Sequence, residues 1–300
     1  MSVPLAYLSL ILIWSTTPLA IKWSGEEVGF LFGVTARMAI GLILSLLIIA
    51  LLQKRLPLNR HAIKVYLIVA LPLYSTMLLI YWASQYVPSG FIAVVFGLTP
   101  IFTGLMAKVL LKEKSFTPFR IIGMLIGLWG LFVIFGQGVY FNSDTEYGVA
   151  GILLGVFLHS LGTVLYKKVD TQLSVFSANA GGLTIAVLLY VMTWLATGKQ
   201  FPLVIPEHAA VSIIYLGSVG SVLGAALFYY ALRRVEASRM ALLTVITPVT
   251  ALFVGQLFNN ETIDQNTIIG TSLILLGLIL YQWAGGWFKT LKRQAVRIGG

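Results

Sequence analysis

Arg37 is the first residue in this chain of 300 whose position calls for a chemical explanation. It stands about nine residues into an apolar stretch, ~14 Å deep at 1.5 Å per residue, where snorkelling to water is difficult. A guanidinium at that depth should face water, a partner or an anion, and no Asp or Glu falls in the middle of any comparable stretch. Two readings stand: an arginine bonded to carbonyls of a broken neighbouring helix, or a ligand for a substrate carboxylate. His159, about eleven residues into another stretch, is either a neutral ring bonded to a carbonyl or a group that exchanges a proton or a hydrogen bond with substrate. Trp14, Tyr74 and Phe96 lie deep enough to wall an apolar ligand moiety. The expected substrate-binding set is therefore Trp14, Arg37, Tyr74, Phe96 and His159. Tyr81, Trp82, Trp129 and Tyr229 lie nearer the ends of their stretches and suit an interfacial aromatic belt.

Pro18, Pro72, Pro100 and Pro248 lie inside apolar stretches, and each removes one backbone donor and frees a carbonyl. They are the expected hinges or gates, although such kinks also occur with no mechanical role. Glu113 and Glu261 sit at helix ends, where a solvated or loop-bonding role is expected before substrate contact. The chain has three histidines and no cysteine, so thiolate metal sites and cysteine nucleophiles are excluded. No paired nucleophile and base and no phosphate-cradling loop appear, so no catalytic residue, metal or cofactor is expected.

These residues sit in a chain that is 58% hydrophobic and 10% charged, against roughly 25% charged in soluble domains. Its length divides into ten segments of about 20 residues, the length that crosses a bilayer. They are Val3 to Trp23, Val28 to Leu52, Ala62 to Trp82, Ser89 to Leu111, Phe119 to Phe135, Gly148 to Lys167, Ser174 to Ala196, Glu207 to Tyr230, Ala237 to Phe258 and Thr267 to Ala284. The first is longer than a signal-peptide core, lacks a basic lead, and reads as a permanent helix. A net charge of +10 would point to nucleic acid in a soluble protein, but here the basic residues lie between the spans. All of the 20 Lys and Arg except Lys22, Arg37 and Lys199 fall on alternate connections or in the C-terminal tail. That pattern predicts cytoplasmic N and C termini.

The chain also repeats itself. At an offset of 148, Tyr81, Ala83, Val87, Ala93, Thr99, Pro100 and Glu113 fall on Tyr229, Ala231, Val235, Ala241, Thr247, Pro248 and Glu261. An offset of 145 brings Lys22 onto Lys167 and Trp14 onto His159. Five spans per copy is an odd number, so the second copy enters the membrane from the other side, an arrangement that recurs in secondary transporters. The expected fold is an all-α membrane protein of ten transmembrane helices in a 5+5 inverted-topology repeat. Its parts are 1–140, 141–290 and a basic tail at 291–300.

Leu12-Ile13-Trp14-Ser15 with Lys22, Arg37, the two Thr-Pro pairs each followed by Glu, and Gly123, Gly127, Gly130, Gly270 and Gly277 together resemble the EamA branch of the drug/metabolite transporter superfamily. The second copy departs from the first in having Asn259-Asn260 before its Glu261. The resemblance covers nearly the whole chain. It implies a basket-like fold in which spans one to four and six to nine line a central cavity while five and ten pack outside. It also implies export or exchange of amino acids and similar metabolites across a bacterial inner membrane. The expected partners are a small-molecule substrate and membrane lipid, with no nucleic acid, in a monomer or weak homodimer. An exchanger of nucleotide sugars or phosphorylated metabolites is the alternative, and it should need several deep Lys or Arg. A membrane-embedded enzyme or a channel is the alternative of another class; a channel would want a symmetric pore with a filter.

Overall fold

The computed structural model describes residues 3–112, 118–135, 143–169, 171–198, 201–235 and 243–298, with the backbone alone at 120, 135, 143, 244, 245 and 282–298. Its described elements are helical: α1 (Val3–Gly25), α2 (Phe30–Leu51), α3 (Arg60–Ala83), α4 (Ser89–Phe96), α5 (Thr99–Leu110), α6 (Pro118–Phe135), α7 (Ser143–Val169), α8 (Val175–Thr197), α9 (Glu207–Tyr215), a π-helical segment (Leu216–Gly224), α10 (Ala225–Leu232), α11 (Leu243–Asn259) and α12 (Gln265–Ile298). Backbone groups in hydrocarbon must bond within their own segment, and helices meet that requirement. Side chains mark several starts: Asn59, Ser174 and Asp264 accept from the N–H groups of Ala62, Ser177 and Thr267 at 2.8, 2.9 and 2.7 Å.

Among the described residues, seven helical stretches are long and apolar enough to cross a membrane, with α4–α5 and α9–π–α10 each counting as one. The other three expected spans coincide with shorter apolar helices at Ile121–Ile134, Ile246–Asn259 and Gln265–Tyr281. The last helix continues to Ile298, through residues expected as a tail. Glu113, Lys114, Lys199 and Arg239 lie outside the described residues.

Packing follows residue size. The most extensive pairing is α6 on α12, whose backbones approach through Gly123, Gly130, Gly270 and Gly277. A Cβ at Gly123 would stand 2.7 Å from Tyr281 N, and one at Gly130 would stand 2.9 Å from Ile274 N. The remaining helices surround a central space. There α1 packs on α9, the π segment and α10; α7 packs on α3, α4 and α5; α2 packs on α8; and α11 packs on α1 and α4.

Two of the expected proline kinks take a particular form. The fourth span breaks at Gly97–Leu98, and Pro100 occupies the first turn of α5, where a missing N–H costs no helical bond. Pro248 lies inside α11, and a Cβ at Gly97 would reach its Cγ at 3.5 Å. The break in one helix thus seats the proline of the other.

Candidate functional site

The central space is a cavity of about 220 Å³. Roughly 300–1,000 Å³ is usual for drug-sized ligands, so this space is at the small end. Its walls come from α1, α2, α3, α4, α5, α7, α8, the π segment, α10 and α11, and among the described residues none of α6 or α12 lines it. Trp14, Arg37, Phe96 and His159 all line it, as do Pro18 and Pro72.

Arg37 is 5% exposed, and the arrangement around it is specific. Its Nε donates to Ser221 Oγ at 3.1 Å, and its Nη1 points at Met77 Sδ, 3.9 Å away. Its Nη2 faces Gly220, where a Cβ would stand 3.2 Å from it. The Tyr81 ring lies 5.9 Å from the guanidinium carbon. Among the described residues Arg37 pairs with no carboxylate, and no acidic side chain lines the cavity. The neighbouring helix is indeed irregular, since Ser221 and Gly220 belong to the π segment, but the bond runs to a hydroxyl rather than to a carbonyl.

The sequence Leu-Gly-Ser-Val-Gly-Ser-Val-Leu-Gly explains that local structure. Its glycines have weak α preference and no Cβ, so helices can approach closely. A Cβ at Gly217 would meet Ile40 Cγ2 at 2.7 Å and Arg37 O at 3.0 Å, and one at Gly41 would stand 2.9 Å from Ser221 Cβ. Asn179 of α8 ties the segment down by donating from Nδ2 to Ser221 O at 3.1 Å and to Ser45 Oγ at 3.3 Å. Ser45, Asn179, Ser221 and Arg37 are all buried. Together they hold one edge of the guanidinium and leave the other towards the cavity.

A row of rings forms another wall. Phe228 stands between Trp14, at 5.6 Å between centroids, and His159, at 5.9 Å; His159 also lies 5.9 Å from Phe96. Trp14 and His159 therefore share Phe228 rather than touching. Tyr74 is not among the lining residues: its hydroxyl shares a 2.6 Å hydrogen bond with Thr193 and its ring packs 4.8 Å from Tyr190. Two expected belt residues also face inward. Tyr81 is fully buried beside Ser24, and Tyr229 lines the cavity and stacks 4.5 Å from Tyr166. Trp129 is 60% exposed, as a belt position requires.

Both ends of the helix cluster are tied. At one, Glu261 accepts from the backbone N–H of Ser89 at 2.8 Å and of Gly90 at 3.1 Å, Asn259 Nδ2 donates to Glu261 at 3.0 Å, and Trp23 Nε1 donates to Asn259 at 3.0 Å. Lys22 Nζ reaches Val87 O at 3.4 Å there. At the other, Lys167 Nζ donates to Leu232 O at 2.8 Å and Val235 O at 2.7 Å, while Arg233 donates to Tyr166 Oη at 2.8 Å. The loop-bonding expectation for Glu261 matches this geometry.

Sequence reasoning passed over Ser221, Asn179, Thr103 and Phe228. Asn179 carried a usable signal, as an amide inside an apolar span.

A cluster of apolar helices around a small, largely apolar cavity with one buried cation describes a polytopic membrane protein built to hold a small solute. The model of the EamA-like transporter family matches residues 1–136 and 146–283, and the chain belongs to that family. It is 27% identical over 282 residues to the uncharacterized transporter YoaV of Bacillus subtilis, covering 93% of this chain and 96% of that one. It is 24% identical over 281 residues to a probable terminal-alkyne amino-acid exporter of Streptantibioticus cattleyicolor, covering 89% and 92%. It is also 24% identical over 277 residues to the uncharacterized inner membrane transporter YedA of Escherichia coli, covering 92% and 89%. A protein of known crystal structure, 19% identical, shares the fold with a TM-score of 0.70 over 94% of this chain and 97% of its own. The protein is thus a multi-pass membrane transporter.

Proposed function

We propose that this transporter moves small amphipathic metabolites bearing a carboxylate, amino acids and similar zwitterions first among them, outward across a bacterial inner membrane by alternating access. The observation that carries this reading is Arg37, buried in the cavity wall, held on one edge by Ser221 and facing no acidic side chain among the described lining residues. A buried guanidinium without a counter-charge favours an anionic ligand, and its planar fork suits a carboxylate. Trp14, Phe96 and His159 supply the wall for the ligand's body. One cation in the lining speaks against the polyanionic alternative, whose phosphates would need several. The amino-acid exporter of Streptantibioticus adds support from a relative.

The reading includes ten spans in two inverted sets, 1–140 and 141–290, with both termini cytoplasmic. Its support is the loop charge pattern, the aligned Thr-Pro-Glu elements and the matched pairings of α1 with α9–π–α10 and α7 with α3. Pro18, Pro72, Pro100 and Pro248 are the hinges in this scheme, and two of them line the cavity. Counterflow in proteoliposomes with a panel of neutral and aromatic amino acids, for wild type and Arg37→Ala, tests the proposal. Saturable uptake of one class that collapses in the variant is expected. If phosphate esters or nucleosides move and no amino acid does, the substrate reading fails.

A further inference from the structure

A second polar point lies in the same cavity, away from Arg37. Threonines within helices normally return their hydroxyl to a carbonyl three or four residues back. Three of the five threonines lining the cavity do so: Thr17 to Ile13 O at 2.7 Å, Thr99 to Phe96 O at 2.5 Å, and Thr163 to His159 O at 2.9 Å. Thr103 does not. It is 3% exposed, it lines the cavity, and among the described residues its Oγ1 has no hydrogen-bond partner. Among the described residues the Ser89 and Thr271 hydroxyls also find no partner, but neither residue lines the cavity. A buried polar atom without a partner is costly, and in native proteins it usually marks an absent water or ligand.

Its position sets what could reach it. Lys22, at the end of α1, bonds Val87 just before α4, and α2 starts soon after α1, so α2 and α4 begin at the same end of the cluster. Arg37 is 7 residues beyond Phe30, the start of α2, and Thr103 is 14 beyond Ser89, the start of α4. Thr103 is therefore on the order of 10 Å deeper by helix rise. The rings of Phe96, His159 and Phe228 line the same cavity as Arg37 and Thr103.

We propose that Thr103 is a specificity-determining residue, a neutral recognition point for a hydroxyl or N–H group at the far end of a substrate whose carboxylate lies at Arg37. This rests on the carboxylate reading of Arg37. The ligand class is an amphipathic carboxylate carrying a distal hydrogen-bonding group across an apolar, ring-sized body. A site with a buried polar group discriminates strongly against an analogue that lacks the partner, because the group is then left unpaired.

The test is isothermal titration of the purified full chain in detergent with two matched pairs, L-tyrosine against L-phenylalanine and 4-hydroxyphenylacetate against phenylacetate. Wild type should bind the hydroxylated member of a pair roughly ten-fold tighter, the worth of one buried hydrogen bond. Thr103→Val should bring that ratio close to one, mainly by weakening the hydroxylated member, and Thr103→Ser should keep it. The valine has the same shape and loses no protein partner, so the fold is expected to persist, and an unchanged elution profile checks that. A wild-type ratio near one, a ratio untouched by Thr103→Val, or binding of neither pair would overturn the proposal. If methyl esters bind as tightly as the acids while the hydroxyl ratio still depends on Thr103, the Arg37 reading fails and the Thr103 site stands.

Discussion

Helix α4 begins at Ser89 directly after Pro88, which has no side-chain oxygen to offer its first N–H groups. The missing cap arrives from 172 residues away, as the Glu261 carboxylate accepts from Ser89 N at 2.8 Å and Gly90 N at 3.1 Å. Replacing Glu261 by Ala removes an acceptor pair and a negative charge at the positive end of a helix. A lost cap costs about 1 kcal/mol and a hydrogen bond to a charged group roughly 1.5–3 kcal/mol. Glu261 is only half-buried, so its charge is screened and the lower part of the range applies, about 2 kcal/mol for the alanine variant. Glutamine keeps one carbonyl oxygen but turns an NH₂ towards the other N–H donor, which should cost about half as much. At roughly 2–4 °C per kcal/mol for chains of this order of size, thermal unfolding in detergent should fall by ~4–8 °C for Glu261→Ala and ~2–4 °C for Glu261→Gln. Unfolding midpoints followed by intrinsic tryptophan fluorescence would measure this. Equal midpoints for wild type and both variants would refute the cap argument.

Gly255→Ala should act through the same bond, because a Cβ there would press on the Glu261 carboxylate; combined with Glu261→Ala its destabilisation should not add, which a double-mutant cycle in the same assay would read. Gly123→Val should abolish a monodisperse elution peak, since its Cβ would meet the backbone of Tyr281 at 2.7 Å, while Gly127→Ala should elute as wild type, its nearest contacts being side-chain tips at 3.7 and 3.8 Å. Asn179→Leu leaves Ser221 O without its side-chain donor and frees the segment that holds Arg37. It should weaken carboxylate binding by about ten-fold, the worth of one buried hydrogen bond, with a smaller effect on the matching ester in titration.

Much of the helical architecture was legible because lipid imposes a length and an apolar composition on each crossing segment. Arg37, Trp14, Phe96 and His159, singled out for their distance from the span ends, line one cavity. Facing was not legible, because one residue turns the side chain by about 100°. Leu73 and Met77 line the cavity, while Tyr74, one position on from Leu73, turns to Tyr190 and Thr193 of α8. Tyr81 and Tyr229 were misread similarly: proximity to a span end suggested the membrane interface, yet both rings point inward. The π segment had no periodic signature of its own. Its glycines at 217, 220 and 224 read equally well as ordinary close packing, and only tertiary contact with Arg37 and Gly41 distinguishes the two.

The repeat makes a sharper claim than the spans do, since alignment of apolar sequence can drift by a turn unnoticed, whereas a specific bond cannot. Offsets of 145 and 148 place Lys22 on Lys167 and Val87 on Val235 without reference to any contact. In the structure Lys22 Nζ donates to Val87 O, and Lys167 Nζ donates to Val235 O. Donor and acceptor thus correspond at the aligned positions of both copies. The two bonds are unequal: 3.4 Å to a single carbonyl in the first, 2.8 and 2.7 Å to two carbonyls in the second. Such a correspondence is what the inverted-repeat reading predicts, because each copy carries its own donor and its own acceptor.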